Sequence, residues 1–79
     1  MAVLLLFGPA RTAARAGRVT LDAPTVSALC TAARQRFGPD FAVVLDASAV
    51  WVNGDPLSGD PALGPDDEVA VLPPVSGGA

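Results

Sequence analysis

Close to the end of the chain the sequence reads Asp66-Asp67-Glu68-Val69-Ala70-Val71-Leu72-Pro73-Pro74-Val75-Ser76-Gly77-Gly78. Pro65-Asp66-Asp67 has the composition of a turn, and Glu68 to Leu72 follows as a β-branched, apolar run of strand length. Pro73 and Pro74 stop that strand, because neither ring nitrogen can donate a ladder hydrogen bond. Val75 to Ala79 have little to bury, which predicts a mobile tail. The stretch therefore divides the chain into one folded domain over residues 1–74 and a flexible diglycine tail over residues 75–79, with Glu68–Leu72 as the last strand.

Working outward, Ala49-Val50-Trp51-Val52 is a strand closed by Asn53-Gly54, a tight-turn dipeptide. Between Asp55 and Pro65 three prolines and two glycines forbid long regular structure. Upstream, Val26, Leu29, Cys30, Ala33 and Phe37 recur at the spacing of one helical face. Thr25 is placed to cap that helix, Arg34 and Arg36 suit its negative C-terminal end, and Gly38-Pro39 ends it. Asp40 to Leu45 fits either a short second helix or an irregular apolar plug. Val3 to Phe7 reads as a strand stopped by Gly8-Pro9, Ala10 to Gly17 as a loop or frayed turn, and Arg18 to Leu21 as a second strand forming an antiparallel hairpin with the first. The order predicts a two-layer α+β domain, with one main helix on one face of a mixed sheet of four to five strands.

Composition limits what such a domain can do. Of 79 residues 51% are hydrophobic and 16% charged, too apolar a mixture for a disordered chain. No apolar run reaches the roughly 18 residues of a membrane span. Ala2 to Phe7 has neither the basic flank nor the cleavage site of a secretory signal. With one cysteine and no histidine, the chain has no intrachain disulfide and lacks the commonest metal ligand and general base. This argues for a cytoplasmic setting and against a self-contained enzyme, and no metal site is expected. The net charge is −3 and all five bases are arginines, so nucleic acid is disfavoured. A basic protein partner is favoured, although so modest a charge equally serves solubility alone.

One helix covers one face of a sheet. By alternation Leu4, Leu6, Val69 and Val71 turn toward the helix. Leu5, Phe7, Ala70, Leu72 and Trp51 then form an exposed apolar patch beside the tail, the mark of a protein interface. An equally weighted alternative has Trp51 covering core beneath the loop from Asp55 to Pro65. Cys30 reads as a small core residue, and Asp66, Asp67 and Glu68 as a solvated turn rather than a cation site.

Taken together, Leu5-Leu6-Phe7 with Arg11, Pro24-Thr25-Val26, Val52-Asn53 and above all the run from Asp66 to Gly78 resemble the MoaD/ThiS-type ubiquitin-like sulfur carriers. The resemblance spans essentially the whole chain, and within the family it is greatest to the branch that supplies the small subunit of molybdopterin synthase. It implies the β-grasp fold. It also implies that the carboxylate of Gly78 is adenylated with ATP by an E1-like activating enzyme, and that a sulfur donor then displaces AMP to leave a thiocarboxylate. In that branch the tail next enters the large subunit, which supplies the catalytic side chains. No cofactor is then held permanently by the carrier itself.

The residue pattern suits that chemistry. Gly77 and Gly78 present no side chains to a narrow channel. Pro73 and Pro74 keep the tail base extended and lower the ordering entropy lost on insertion. Val75 is a candidate for an apolar notch and Ser76 for a backbone hydrogen bond. Arg11 matches an arginine of the family's first loop, where it would meet an acid on the activating enzyme. Ala79 departs from the family ending, which predicts its removal by a tail-processing protease. The alternatives are a carrier for thiamine, cysteine or another sulfur-containing metabolite, a protein-conjugating modifier, and a ubiquitin-like binding module without tail chemistry.

Overall fold

A computed structural model describes residues 1–73 of the chain. Pro74 and the expected tail over residues 75–79 lie outside the described residues. The elements in order are β1 (Ala2–Leu6), α1 (Gly8–Ala14), β2 (Arg18–Leu21), α2 (Val26–Phe37), α3 (Pro39–Asp46), β3 (Ala49–Val52), β4 (Asp55–Pro56) and β5 (Glu68–Leu72). The five strands form one mixed sheet in the order β2-β1-β5-β3-β4. β1 pairs antiparallel with β2 and parallel with β5, and β5 pairs antiparallel with β3.

The parallel pair sets Leu4 beside Val69 and Leu6 beside Val71. All four side chains are almost wholly removed from water, each burial contributing about 1.5–3 kcal/mol. They form the sheet side of a core completed by Val26, Leu29 and Ala33 of α2, by Phe41 and Leu45 of α3, and by Ala10 of α1. This is the face assigned to the helix by alternation. Cys30 and Phe37 pack partly buried at its edge, and burial raises the Cys30 thiol above its ordinary pKa, as expected of a small packing residue.

α2 starts where its cap dictates: the Thr25 hydroxyl accepts a hydrogen bond from the Ala28 N–H at 3.1 Å. At its other end Gly38 takes φ +91°, a value open to glycine, and the chain turns directly into α3. Phe37 and Phe41 pack across that junction with ring centroids 5.1 Å apart.

The structure corrects the expectation of a loop or frayed turn over Ala10 to Gly17, because α1 occupies most of it. Pro9 suits the first turn of a helix, the alanines have the highest helix propensity, and Ala10 gains a buried place in the core. The stretch from Asp40 to Leu45 resolves as helix rather than plug. Among the described residues the helical layer thus holds three helices, of which α2 is the longest. Within the turn-rich crossing, Asp55 and Pro56 add a two-residue edge strand against β3.

Two residues of α3 separate core from surface. Phe41→Ala should cost about 3–5 kcal/mol, whereas Val43→Ala, at a site 70% exposed, should stay within about 0.5 kcal/mol of the parent protein. Urea denaturation of both variants checks the assignment.

Candidate functional site

The side of the sheet away from the helices carries a continuous cross-strand row. Leu5 lies opposite Ala70, Ala70 opposite Trp51, and Trp51 opposite Pro56. At the end where the tail departs, Ala49 faces Leu72. Phe7 continues β1 beside Leu72, its N–H donating to the Val71 carbonyl at 3.2 Å with extended backbone angles. Phe7 is 43% exposed, while Leu5, Ala70, Leu72 and Trp51 are half-buried. None of these five belongs to the core cluster or to the hydrophobics packed against it. The structure therefore brings Leu5, Phe7, Ala70, Leu72 and Trp51 onto one open face, and Trp51 does not serve as a lid on the core.

Arg11 stands apart from this row. It lies on α1, exposed, with its guanidinium folded against Gly17. Gly17 in turn accepts a hydrogen bond from the Leu6 N–H, so Arg11 sits at the β1–β2 corner of the same end of the sheet.

Pro73, the last described residue, is exposed at the tail base. Its ring packs on Gly8, where an added Cβ would come within 3.4 Å of the proline Cβ and Cγ. Gly8 also takes φ +57°, a left-handed conformation that a side chain disfavours. Gly8 is thus part of the tail base, although the sequence marked it only as punctuation after β1. Pro74, Val75, Ser76, Gly77 and Gly78 lie outside the described residues.

The opposite end of β5 is clamped, and the clamp fixes which face Leu72 occupies. Asn53 holds positive φ in the turn after β3, as asparagine tolerates. Its N–H donates to the Glu68 carbonyl at 2.8 Å. Its side-chain oxygen accepts from the Glu68 N–H at 2.9 Å, and its amide donates to Asp67 at 3.2 Å. The other Asp67 oxygen accepts from the Gly64 N–H at 2.7 Å. A slip of one residue would turn Leu72 inward and Val71 outward. Asp66-Asp67-Glu68 is accordingly a hydrogen-bonded turn, and among the described residues no group of side chains is arranged to hold a metal ion.

A single-helix-layer domain with a mixed sheet, parallel terminal strands and an exposed apolar face is a ubiquitin-like β-grasp domain. The model of the ThiS family matches residues 4–78, and the chain belongs to that family. Its fold is shared with small archaeal modifier protein 1 from Methanosarcina acetivorans, at TM-score 0.85 and 24% identity over 98% of this chain and 95% of that one. It is similar to small archaeal modifier protein 1 from Haloferax volcanii, at TM-score 0.75 and 28% identity over 98% of each chain. It is also similar to a candidate molybdopterin converting factor, subunit 1, from Pyrococcus furiosus, at TM-score 0.79 and 26% identity over 94% of this chain and 97% of that one. No curated protein matches the sequence. Among the described residues no helix is long and apolar enough to cross a membrane.

Two tests follow from this geometry. Leu72→Asp should leave a cooperative thermal transition, because its face is open, whereas Val71→Asp should abolish folding by burying a carboxylate. Thermal melts of the two variants check the register. The hydrogen bond from Gly64, and secondarily that from Asn53, holds the Asp67 carboxyl below its ordinary pKa. A carboxyl depressed on folding stabilises above its unfolded value of about 3.9 and loses that contribution as pH falls through the folded value. Asp67→Asn should therefore flatten the acid limb of stability against pH below about 4, measured by urea unfolding across pH.

Proposed function

We propose that this chain is a sulfur carrier and the small subunit of a molybdopterin synthase, acting through a thiocarboxylate on Gly78. The observation that carries the reading is the family match, which extends through Gly77 to Gly78. It is supported by the position of the tail base, at the rim of an open apolar face made by Phe7, Leu72, Leu5 and Trp51. That face supplies a docking surface, and the tail leaving beside it reaches the partner's active site. Ala79 is removed first by a processing protease, freeing the carboxylate of Gly78.

One carboxylate oxygen attacks the α-phosphorus of ATP on an E1-like activating enzyme, releasing pyrophosphate. Sulfide-level sulfur released by a donor then attacks the acyl carbon and expels AMP, leaving the thiocarboxylate with no change of oxidation state. The carrier contributes no acid or base to either step, in keeping with a chain that has no histidine. It contributes presentation: Pro73 and Pro74 lower the ordering entropy lost on insertion, Val75 is offered to an apolar notch of the partner and Ser76 to a backbone hydrogen bond, and the two glycines bring no side chains to a narrow channel. The large synthase subunit then receives the sulfur-loaded tail in the cytoplasm.

A second reading, a modifier conjugated to other proteins, is favoured by the 28% identity to a small archaeal modifier protein. It would leave the same adenylation step intact but yield adducts on lysines of other proteins.

The test is ATP–pyrophosphate exchange with the purified activating enzyme and three forms of the chain. The form ending at Gly78 should support exchange, and one lacking Gly77 to Ala79 should support none. The form ending at Ala79 should be slower by about tenfold or more, roughly 1.4 kcal/mol of barrier. Equal exchange by the Ala79 and Gly78 forms would remove the processing step. Exchange by none of them, with biological function surviving the deletion, would assign a binding module instead.

A further inference from the structure

Net charge conceals how the charges are arranged. Phe7, Leu72 and Ala49 mark one end of the sheet, and Ala2, Leu21, Glu68 and Val52 mark the other. α1 leaves β1 at the Leu72 end and packs against α3, which leads into β3 at that same end. β2 begins there as well, with Arg18 opposite Leu5. α2 starts at the far end, where Val26 donates to the Pro61 carbonyl and Ser27 to Asp60. It finishes at the Leu72 end, where Arg34 pairs with Asp46 at 2.6 Å.

All five arginines therefore lie toward the tail end, accompanied by Asp40 and Asp46 of α3, which leaves a formal side-chain charge of +3. The other six acids, Asp22, Asp55, Asp60, Asp66, Asp67 and Glu68, lie toward the opposite end and carry −6, completing the net −3. Arg11, Arg15 and Arg18 are all exposed on α1 and the start of β2. The domain is an electrical dipole with its positive pole at the tail base.

We infer that the tail end docks on an acidic protein surface, with Arg11, Arg15 and Arg18 meeting carboxylates around an apolar notch that receives Phe7 and Leu72. This extends to Arg15 and Arg18 the acidic contact that the family resemblance implies for Arg11, and it reverses the expectation of a basic partner drawn from net charge, because only the pole facing the partner is felt at short range when the Debye length is about 8–10 Å. A protein fits better than a nucleic acid: the arginines flank an apolar row that a polyanion would leave uncovered, and the −6 pole repels an extended phosphate chain. The inference rests on the proposed docking of the tail end and adds the chemistry of the surface it meets.

The test is calorimetric binding to the adenylating enzyme from the same cells, at about 50 and 300 mM salt. Arg11→Glu with Arg18→Glu should weaken binding about tenfold or more at low salt, and less at high salt. Asp22→Lys with Asp66→Lys, at the far pole, should change it by less than about twofold. A thermal melt accompanies each variant. Should the reversal fail to fold, Arg15→Gln with Arg18→Gln tests the same pole by neutralisation. If the arginine variants bind as well as the parent while Leu72→Asp abolishes binding, the acidic-surface inference is overturned and the docking face stands. If Leu72→Asp also binds normally, the docking reading itself falls. Weakening by the far-pole pair, or displacement of the enzyme by a short DNA duplex, would likewise overturn the inference in favour of a basic partner or a polyanion.

Discussion

The parallel pairing of β1 with β5 is the constraint on which the rest depends. It joins the first and last strands of the chain, so its closure entropy is offset only after the intervening elements have packed. Leu4 against Val69 and Leu6 against Val71 give that pair one fully buried face. The opposite parity then falls to Leu5, Phe7, Ala70 and Leu72 without further choice. The same pairing delivers the end of β5 beside Phe7 and Gly8, so the core register and the tail's point of departure are a single structural decision.

Two local devices keep that decision from drifting. At the start of β5, Asn53 and Asp67 tie the strand to the turn after β3. At its end, Pro73 rests on the bare Cα of Gly8. Neither device buries much surface. Their effect is positional, because a β-strand displaced by one residue exchanges its core and solvent faces completely. Among the described residues the open face stays exposed, since the helices lie on the other side of the sheet.

Much of this was legible in residues alone. β2, α2, β3 and β5 follow directly from alternation, helical periodicity, the Thr25 cap and the Gly38-Pro39 and Pro73 stops, and β1 differs by one residue. The parity of the open face was readable for the same reason. α1 was not, because seven residues rich in alanine and interrupted by arginine are too short for an apolar stripe to emerge; burial of Ala10 in the core decides it. The Gly8–Pro73 contact joins residues far apart in sequence, though the Gly-Pro pair after β1 was its visible trace. Charge segregation was hidden because net charge is a sum and carries no positions; only the strand order reveals two poles.

The central claim is that this chain carries sulfur on its terminal glycine, and the most direct measurement is the intact mass of the protein recovered from its own cells while the pathway is active. The account predicts a chain that has lost Ala79 and has one oxygen replaced by sulfur. A chain that retains an unmodified Ala79 under those conditions would contradict it.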